Sequence, residues 1–365
     1  MEFLVDRNKF FSALSFAGKA IPSRASHPVL ANVLMSVAEE GRISIVGFDL
    51  SVAATASLDA DVQQPGQVTL PYKLLHDIVS RLTAPVIRFE AIESDGGCPI
   101  VKVTADSGSY RINGMSADEY PSPPRISKSK GLELAGEDLL RGFDVCYAAS
   151  SDETKQVLNS VNLKTKEGEA VFAAIDGHRM AIGTIPLEDG AEIEPINIPA
   201  RLSRFFGHIK NDRVQIGYEQ GMAIFEWGDY SVSTRLLDGL YPNYEQLFPA
   251  SFERSIHFDR SLAIQCIDRV AAIDTKIVVK FHLDMTSITF ELDSPGAGSA
   301  KETMPAILEG ESMTLAFNPK YFTEALKHLD GETIVMRLNT PTSAVVLTSD
   351  VEGQKVLLMP VQIRS

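Results

Sequence analysis

The sequence predicts an α+β protein made of three copies of one unit, each with two helices on an antiparallel sheet. Three observations predict it. A strand followed by a helix recurs from Glu2, Gly131 and Ser255, about 125 residues apart, which is one domain length and far beyond a solenoid period. A second strand-and-helix pair, with proline at or just before the helix, recurs near the middle of each unit. Between these pairs, period-two alternation and short apolar runs, bounded by Gly, Asp and Asn, mark strands and tight turns.

Taken in order, strand 2–5 precedes helix 7–17, strand 131–135 precedes helix 137–148, and strand 255–258 precedes helix 260–270. The mid-unit pairs are 66–70 with 72–82, 195–199 with 201–210, and 312–317 with 319–329. Pro71, Pro199 and Pro319 mark those helix starts, where a missing N–H costs nothing. Leu75, Ile78, Val79 and Leu82 show the helical i, i+3, i+4, i+7 spacing. Segments 42–48, 86–90, 101–104, 214–218, 222–226, 287–292 and 345–347 read as strands. Links rich in proline and serine over 120–131 and 242–254 divide the chain into domains 1–124, 131–249 and 254–365. Residues 296–301 loosely echo a phosphate loop, but the spacing is wrong and the neighbours are turn formers, so they read as a plain loop.

Composition sets outer bounds. The 365 residues are 44% hydrophobic, ordinary for a soluble globular chain of two or three domains. No signal-peptide pattern and no membrane-length apolar run are present. Cys98, Cys146 and Cys266 are scattered, with no C-x-x-C pair, which fits a reducing cytoplasm and not a disulfide framework or zinc site. The histidines show no metal-ligand spacing, and no nucleophile elbow, phosphate-loop or zinc-protease motif occurs, so no metal, cofactor or catalytic residue is expected.

The net charge of −14 opposes nucleic-acid binding unless the basic residues are segregated. The mid-unit helices do carry them. Lys73 and Arg81 lie on the first, Arg201, Arg204 and Lys210 on the second, Lys320 and Lys327 on the third, and Arg24 follows the opening helix. Each alone is a solvated helix face, but recurrence in three equivalent helices points to one positive surface suited to phosphates in any sequence.

Asp176-Gly177 sits between two apolar runs and signals a hairpin. One reading is a plain turn; the other is a sheet rim presenting His178, Arg179 and Met180 to a partner. An enzyme using Asp176, His178 and Arg179, and a repeat scaffold without DNA, remain rival readings of the residues alone.

Segments 28–34, 47–53, 176–181, 237–244 and 357–363, in this order within a threefold repeat, resemble the bacterial DNA sliding clamp, the beta subunit of DNA polymerase III holoenzyme. The resemblance runs the whole length. It implies the DNA-clamp fold, a head-to-tail homodimeric ring around duplex DNA, and a non-catalytic processivity factor of the bacterial cytoplasm and nucleoid, with no cofactor and no membrane contact. It implies as partners the polymerase III alpha subunit, the clamp-loader delta subunit, and other polymerases and repair proteins carrying clamp-binding motifs. The implied peptide cleft is lined by Leu158, Ile175, Gly177, His178, Arg179, Met180, Pro242, Gln246, Leu247, Ser343, Leu358, Met359, Pro360 and Val361, with His178 and Arg179 as polar groups at its rim. Ile175 stands where the family often has threonine, and Gln246 and Gln362 stand where it often has basic residues. The implied DNA contacts are Arg24, Lys73, Arg201, Lys155 and Gln156, beside Arg204, Lys320 and Lys327 from the helix pattern. The family's aromatic residues near Gln156 and Val157 are absent. Tyr110 on an edge strand is expected to face Ala272 and Ile273 of a second copy.

Overall fold

The computed structural model describes residues 1–92, 99–105, 108–124, 126, 131–152, 154–187, 190–207, 209–219 and 221–362. Cys98 and much of the 120–131 link therefore lie outside the described residues. The α-helices among the described residues are α1 (Arg7–Gly18), α2 (Tyr72–Arg81), α3 (Gly136–Phe143), α4 (Arg260–Ala271) and α5 (Pro319–His328). The chain forms two compact units, one of Met1–Glu137 with Arg204–Leu236 and one of Asp138–Ser203 with Leu237–Ser365. The middle repeat thus contributes strands to both.

In the first unit, a five-stranded sheet runs in the order Asp61–Gln64, Glu2–Asp6, Val86–Ile92, Ile100–Ala105 and Gly108–Asn113. An eight-stranded sheet begins with Gly131–Ala135, Arg213–Glu219, Met222–Trp227 and Tyr230–Arg235, then continues into Val52–Asp59, Arg42–Phe48, Asn32–Val37 and Gly66–Pro71. In the second unit, Ile196–Pro199, Ser160–Lys166, Glu169–Ile175 and Arg179–Pro186 continue through Gln354–Leu358 into the strands of the third repeat, twelve strands in all. The sequence predicts one sheet per repeat. The structure instead joins sheets across repeats, because the edge strand of one repeat finds its missing hydrogen bonds on the next.

Local chemistry explains the helices. Asp6 caps α1 by accepting from the Lys9 N–H at 2.9 Å, and Asp259 caps α4 by accepting from Leu262 N–H at 2.6 Å. The inner face of α1 buries Phe10, Ala13, Leu14, Phe16 and Ala17. Phe10 and Phe3 both pack on Phe89, at 4.8 Å between centroids. The third repeat builds the same layer from Phe281, Phe290 and Phe322.

The middle repeat departs from prediction. Helix 137–148 is α-helical only to Phe143 and finishes as a 3-10 helix, Asp144–Ala148. Its start has alanine, not aspartate, at the cap position, and Gly142 is held against Phe172 so closely that a Cβ would lie 2.5 Å from the ring. Helix 201–210 is reduced to the 3-10 helix Ala200–Phe205. Phe205 and Phe206 are both buried, Phe205 against Phe16 of α1 and Phe206 against Phe225, so contacts with distant segments hold this stretch. The expected loop 296–301 is also corrected. A turn at Ser294–Ala297 leads into the strand Gly298–Glu309, whose Lys301 pairs with Glu291. Its residues 299–304 alternate inward and outward only weakly at the start, so the glycines masked the strand signal.

Candidate functional site

The Asp176-Gly177 hairpin is present as read. Ile175 pairs with Met180, and Asp176 N–H donates to the Arg179 carbonyl at 3.2 Å. Asp176 Oδ1 accepts from the N–H groups of His178 (2.8 Å) and Arg179 (3.0 Å), which closes the turn from inside. Gly177 has φ +97°, a left-handed conformation that favours glycine. The C-terminal strand Gln354–Leu358 adds to this hairpin, with Arg179 opposite Leu358. Met359 N–H then donates to the His178 carbonyl at 2.9 Å, and Val361 N–H to the Ala316 carbonyl at 2.8 Å. These bonds fix the Met359-Pro360-Val361 tail as one wall.

The floor is an apolar cluster of Ala173, Ile175, Met180, Tyr244 and Leu357, with Leu158, Tyr241 and Phe248 partly buried against it. Over the same unit the structure leaves large apolar side chains in water: Leu247 is 46% exposed, Met359 41% and Val361 39%. A buried apolar floor below exposed Leu and Met is the arrangement of a docking trough, and methionine re-packs around varied ligands. Pro242 and Gln246 are exposed beside Leu247. Ser343 uses its hydroxyl within its own turn, donating to the Thr340 carbonyl and accepting from the Thr340 N–H. A cavity of about 230 Å³ adjoins this region, bounded by Asn197, Leu240, Tyr241, Pro242 and Tyr244. Burial pushes the Tyr241 and Tyr244 phenols up. Lys164 and Lys166 hold the Glu245 carboxyl below its ordinary range through hydrogen bonds of 2.7 and 3.1 Å.

Arg179 is not the rim group that the resemblance implies. It is 8% exposed, and its guanidinium is held from several directions. It pairs with Asp176 Oδ2 at 3.1 Å and with Glu324, donates to the Tyr147 carbonyl at 2.7 Å, and lies over the rings of Tyr321 (4.4 Å) and Tyr147 (5.4 Å). A buried guanidinium must be paired on all sides, so Arg179 locks hairpin to α5. His178 stays exposed, its ring 6.3 Å from that of Tyr321. Sequence reasoning missed Tyr147, Tyr321 and Glu324. The only signal was the i, i+3 spacing of Tyr321 and Glu324 on α5, which is common to any helix.

The basic residues singled out from sequence are all exposed. Lys73 opens α2, Lys320 and Lys327 stand two turns apart on α5, and Lys155 and Gln156 begin the 3-10 helix Gln156–Asn159. Arg24 follows α1, while Arg201 and Arg204 lie on the 3-10 helix Ala200–Phe205, Arg204 over the Phe205 ring at 5.0 Å. Lys320 also approaches Glu324 at 3.9 Å. Tyr110 is 38% exposed on Gly108–Asn113, the edge of the five-stranded sheet. Ala272 caps the C-terminus of α4, and Ile273 beyond it is 36% exposed. Among the described residues, no group of three or more His, Cys, Asp or Glu side chains is placed to hold a metal ion, and no helix is long and apolar enough to cross a membrane.

Repeated two-helix units whose antiparallel sheets run on from one repeat to the next are the architecture of the DNA clamps, proteins that bind and tether. Family models for the DNA polymerase III beta subunit match along the chain: its N-terminal domain at residues 1–124, its central domain at 143–243 and its C-terminal domain at 245–362. A beta sliding clamp of Synechococcus elongatus is 36% identical over 382 residues, covering 100% of both chains. The crystal structure of a sliding clamp from Bacillus subtilis superposes with a TM-score of 0.93 at 24% identity, and that of a beta sliding clamp from C. crescentus with 0.92 at 25%, each covering 99% or more of both chains. The chain belongs to the DNA polymerase III beta-subunit family, the bacterial sliding clamps. It is therefore a non-catalytic processivity subunit of DNA replication, and the enzyme reading of Asp176, His178 and Arg179 falls away.

Proposed function

We propose that the hairpin, the C-terminal tail and the 242–247 segment form the docking cleft through which this clamp tethers its partners. The observation that carries this is the set of exposed Leu247, Met359 and Val361 above the buried Ile175–Met180 floor. An extended peptide with apolar side chains covers them and gains main-chain contacts along the tail. The partners proposed are the polymerase III alpha subunit, the clamp-loader delta subunit, and other polymerases and repair proteins that carry such a motif. The specific lining is the set named from sequence, with Arg179 acting from beneath by holding His178 and Tyr321 in place.

We further propose three domains, 1–124, 131–249 and 254–365, and a head-to-tail homodimer sealed where Tyr110 of one copy meets Ala272 and Ile273 of the other. Family-model spans of 1–124, 143–243 and 245–362 support a division into three, and the unpaired outer edge of Gly108–Asn113 supports the seam. Two chains of −14 repel duplex DNA at long range, so the hold is topological. Arg24, Lys73, Lys155, Gln156, Arg201, Arg204, Lys320 and Lys327 supply weak, sequence-independent phosphate contacts that permit sliding. The proposed place of work is the nucleoid of the bacterial cytoplasm. The experiment is retention on nicked circular DNA after loading. Linearising the circle should release the clamp; equal loss before and after linearisation refutes the topological hold.

A further inference from the structure

The fold makes one kind of junction twice. The opening helix of one repeat meets the mid-unit helix of the next, once in each compact unit. In the second unit the junction is filled. The Tyr147 ring stacks on His328 at 4.1 Å, His328 Nδ1 lies 2.7 Å from Asp144, and the pocket beside them holds about 10 Å³. In the first unit the same junction, α1 against the 205–206 segment, leaves a cleft of about 420 Å³ that is partly open to solvent. The second unit shows that side chains of this fold can fill such a junction.

The open cavity has a definite chemistry. Its walls are aromatic: Phe16 lies 4.8 Å from Tyr230 and 5.7 Å from Trp227, and the Trp227 and Tyr230 rings are inclined by only 23°. Phe11 and Phe205 complete them. Lys19 enters the cavity and donates to the Arg204 carbonyl at 2.9 Å, yet no carboxylate pairs with it among the described residues. Burial, and then the Arg204 charge, push its ammonium pKa down, which marks a cation short of an anion. The Ser15 hydroxyl lines the same space and is buried without a hydrogen-bond partner. Asp212 stands among the lining as an acceptor.

We propose that this cavity binds a nucleotide, its base against the aromatic walls and its phosphate on Lys19. Flat π faces stack on Phe, Tyr and Trp, whatever the base. The ammonium of Lys19 has donors left for a phosphate, and Asp212 accepts from an exocyclic amine. The volume is that of an ordinary small-ligand site, about 300–1,000 Å³. Lys19 also sits 5.9 Å from the Phe16 ring, which places its positive charge beside the aromatic wall. The nucleotide is either free or an unpaired residue of a DNA strand, and the two share this chemistry.

Trp227 is the only tryptophan of the chain, so its emission reports this cavity alone. The intact clamp is titrated with a deoxynucleoside monophosphate, the matching nucleoside and a single-stranded tetranucleotide, with inner-filter correction. Saturable quenching is expected, with the monophosphate about tenfold tighter than the nucleoside. Lys19→Met should bring those two within about twofold of each other, and Lys19→Arg should keep the preference. Tighter binding of the tetranucleotide identifies a DNA strand as the source, and tighter binding of the monophosphate a free nucleotide. Absence of saturable quenching by all three up to about 1 mM overturns the proposal. So does an unchanged phosphate preference in a folded Lys19→Met clamp.

Discussion

Replacing both Leu247 and Met359 with alanine tests the cleft most directly. Complete burial of a Leu or Met side chain is worth about 1.5–3 kcal/mol. Leu247 is 46% exposed and Met359 41% in the free clamp, so a docked peptide gains only the remaining part. That part is about 1 kcal/mol for each side chain, and about 2 kcal/mol for the pair. The expected result is about a thirtyfold rise in Kd for a peptide bearing a partner's clamp-binding motif. Fluorescence anisotropy with a labelled peptide measures it, and sedimentation velocity on the same sample checks the dimer. The side chains contact one ligand, so each single variant is needed to expose any coupling between them. A double variant that remains dimeric and binds within about twofold of the parent refutes the cleft assignment. Loss of the dimer together with binding would instead place these residues in the fold.

Arg179→Met should destabilise the second unit by about 3 kcal/mol, because it leaves Asp176 without its cation and Glu324 with only Lys320 at 3.9 Å; a urea or thermal midpoint within error of the parent contradicts the buried-anchor role. Arg179→Lys should recover little of that loss, since an ammonium cannot bridge both carboxylates and the Tyr147 carbonyl in one plane. Tyr110→Lys with Ile273→Lys should shift the clamp toward monomer in sedimentation, and unchanged dimer would move the seam elsewhere. Glu245 is held below its ordinary value of 4.5 by Lys164 and Lys166, so its stabilising contribution is present above that value and is lost as pH falls through the lower folded value. The pairs are largely exposed, so the acid-dependent loss is at most about 1 kcal/mol, and it should vanish in Glu245→Gln when melts at acidic and neutral pH are compared.

Much of this architecture is legible without coordinates. Asp6 before α1 and Asp259 before α4 are local caps, and local hydrogen bonds are written in sequence. The Asp-Gly turn at 176–177 is equally local, since one carboxylate and one positive φ make it. The errors fall where distant contacts prevail. Phe205 and Phe206 are held by Phe16 and Phe225 from elsewhere in the chain, and the strand Gly298–Glu309 pairs first with Ser287–Ser294 and then, over its last four residues, with Arg254–Asp259.

The sequence by itself determined the threefold repeat, the two helices of the first and third repeats with the strands that precede them, and the basic residues of the mid-unit helices. Periodicity, caps and turns act over a few residues, so one chain read in order is enough for them. Only the tertiary structure decided what Arg179 does. The Asp176 that pairs with it is three residues away, but Tyr147, Tyr321 and Glu324 reach it from elsewhere in the chain. Burial of a charge depends on partners that no local pattern specifies. The same holds for the two junctions, one filled by Tyr147 on His328 and the other left open beside Lys19, because packing of distant segments sets the space between them.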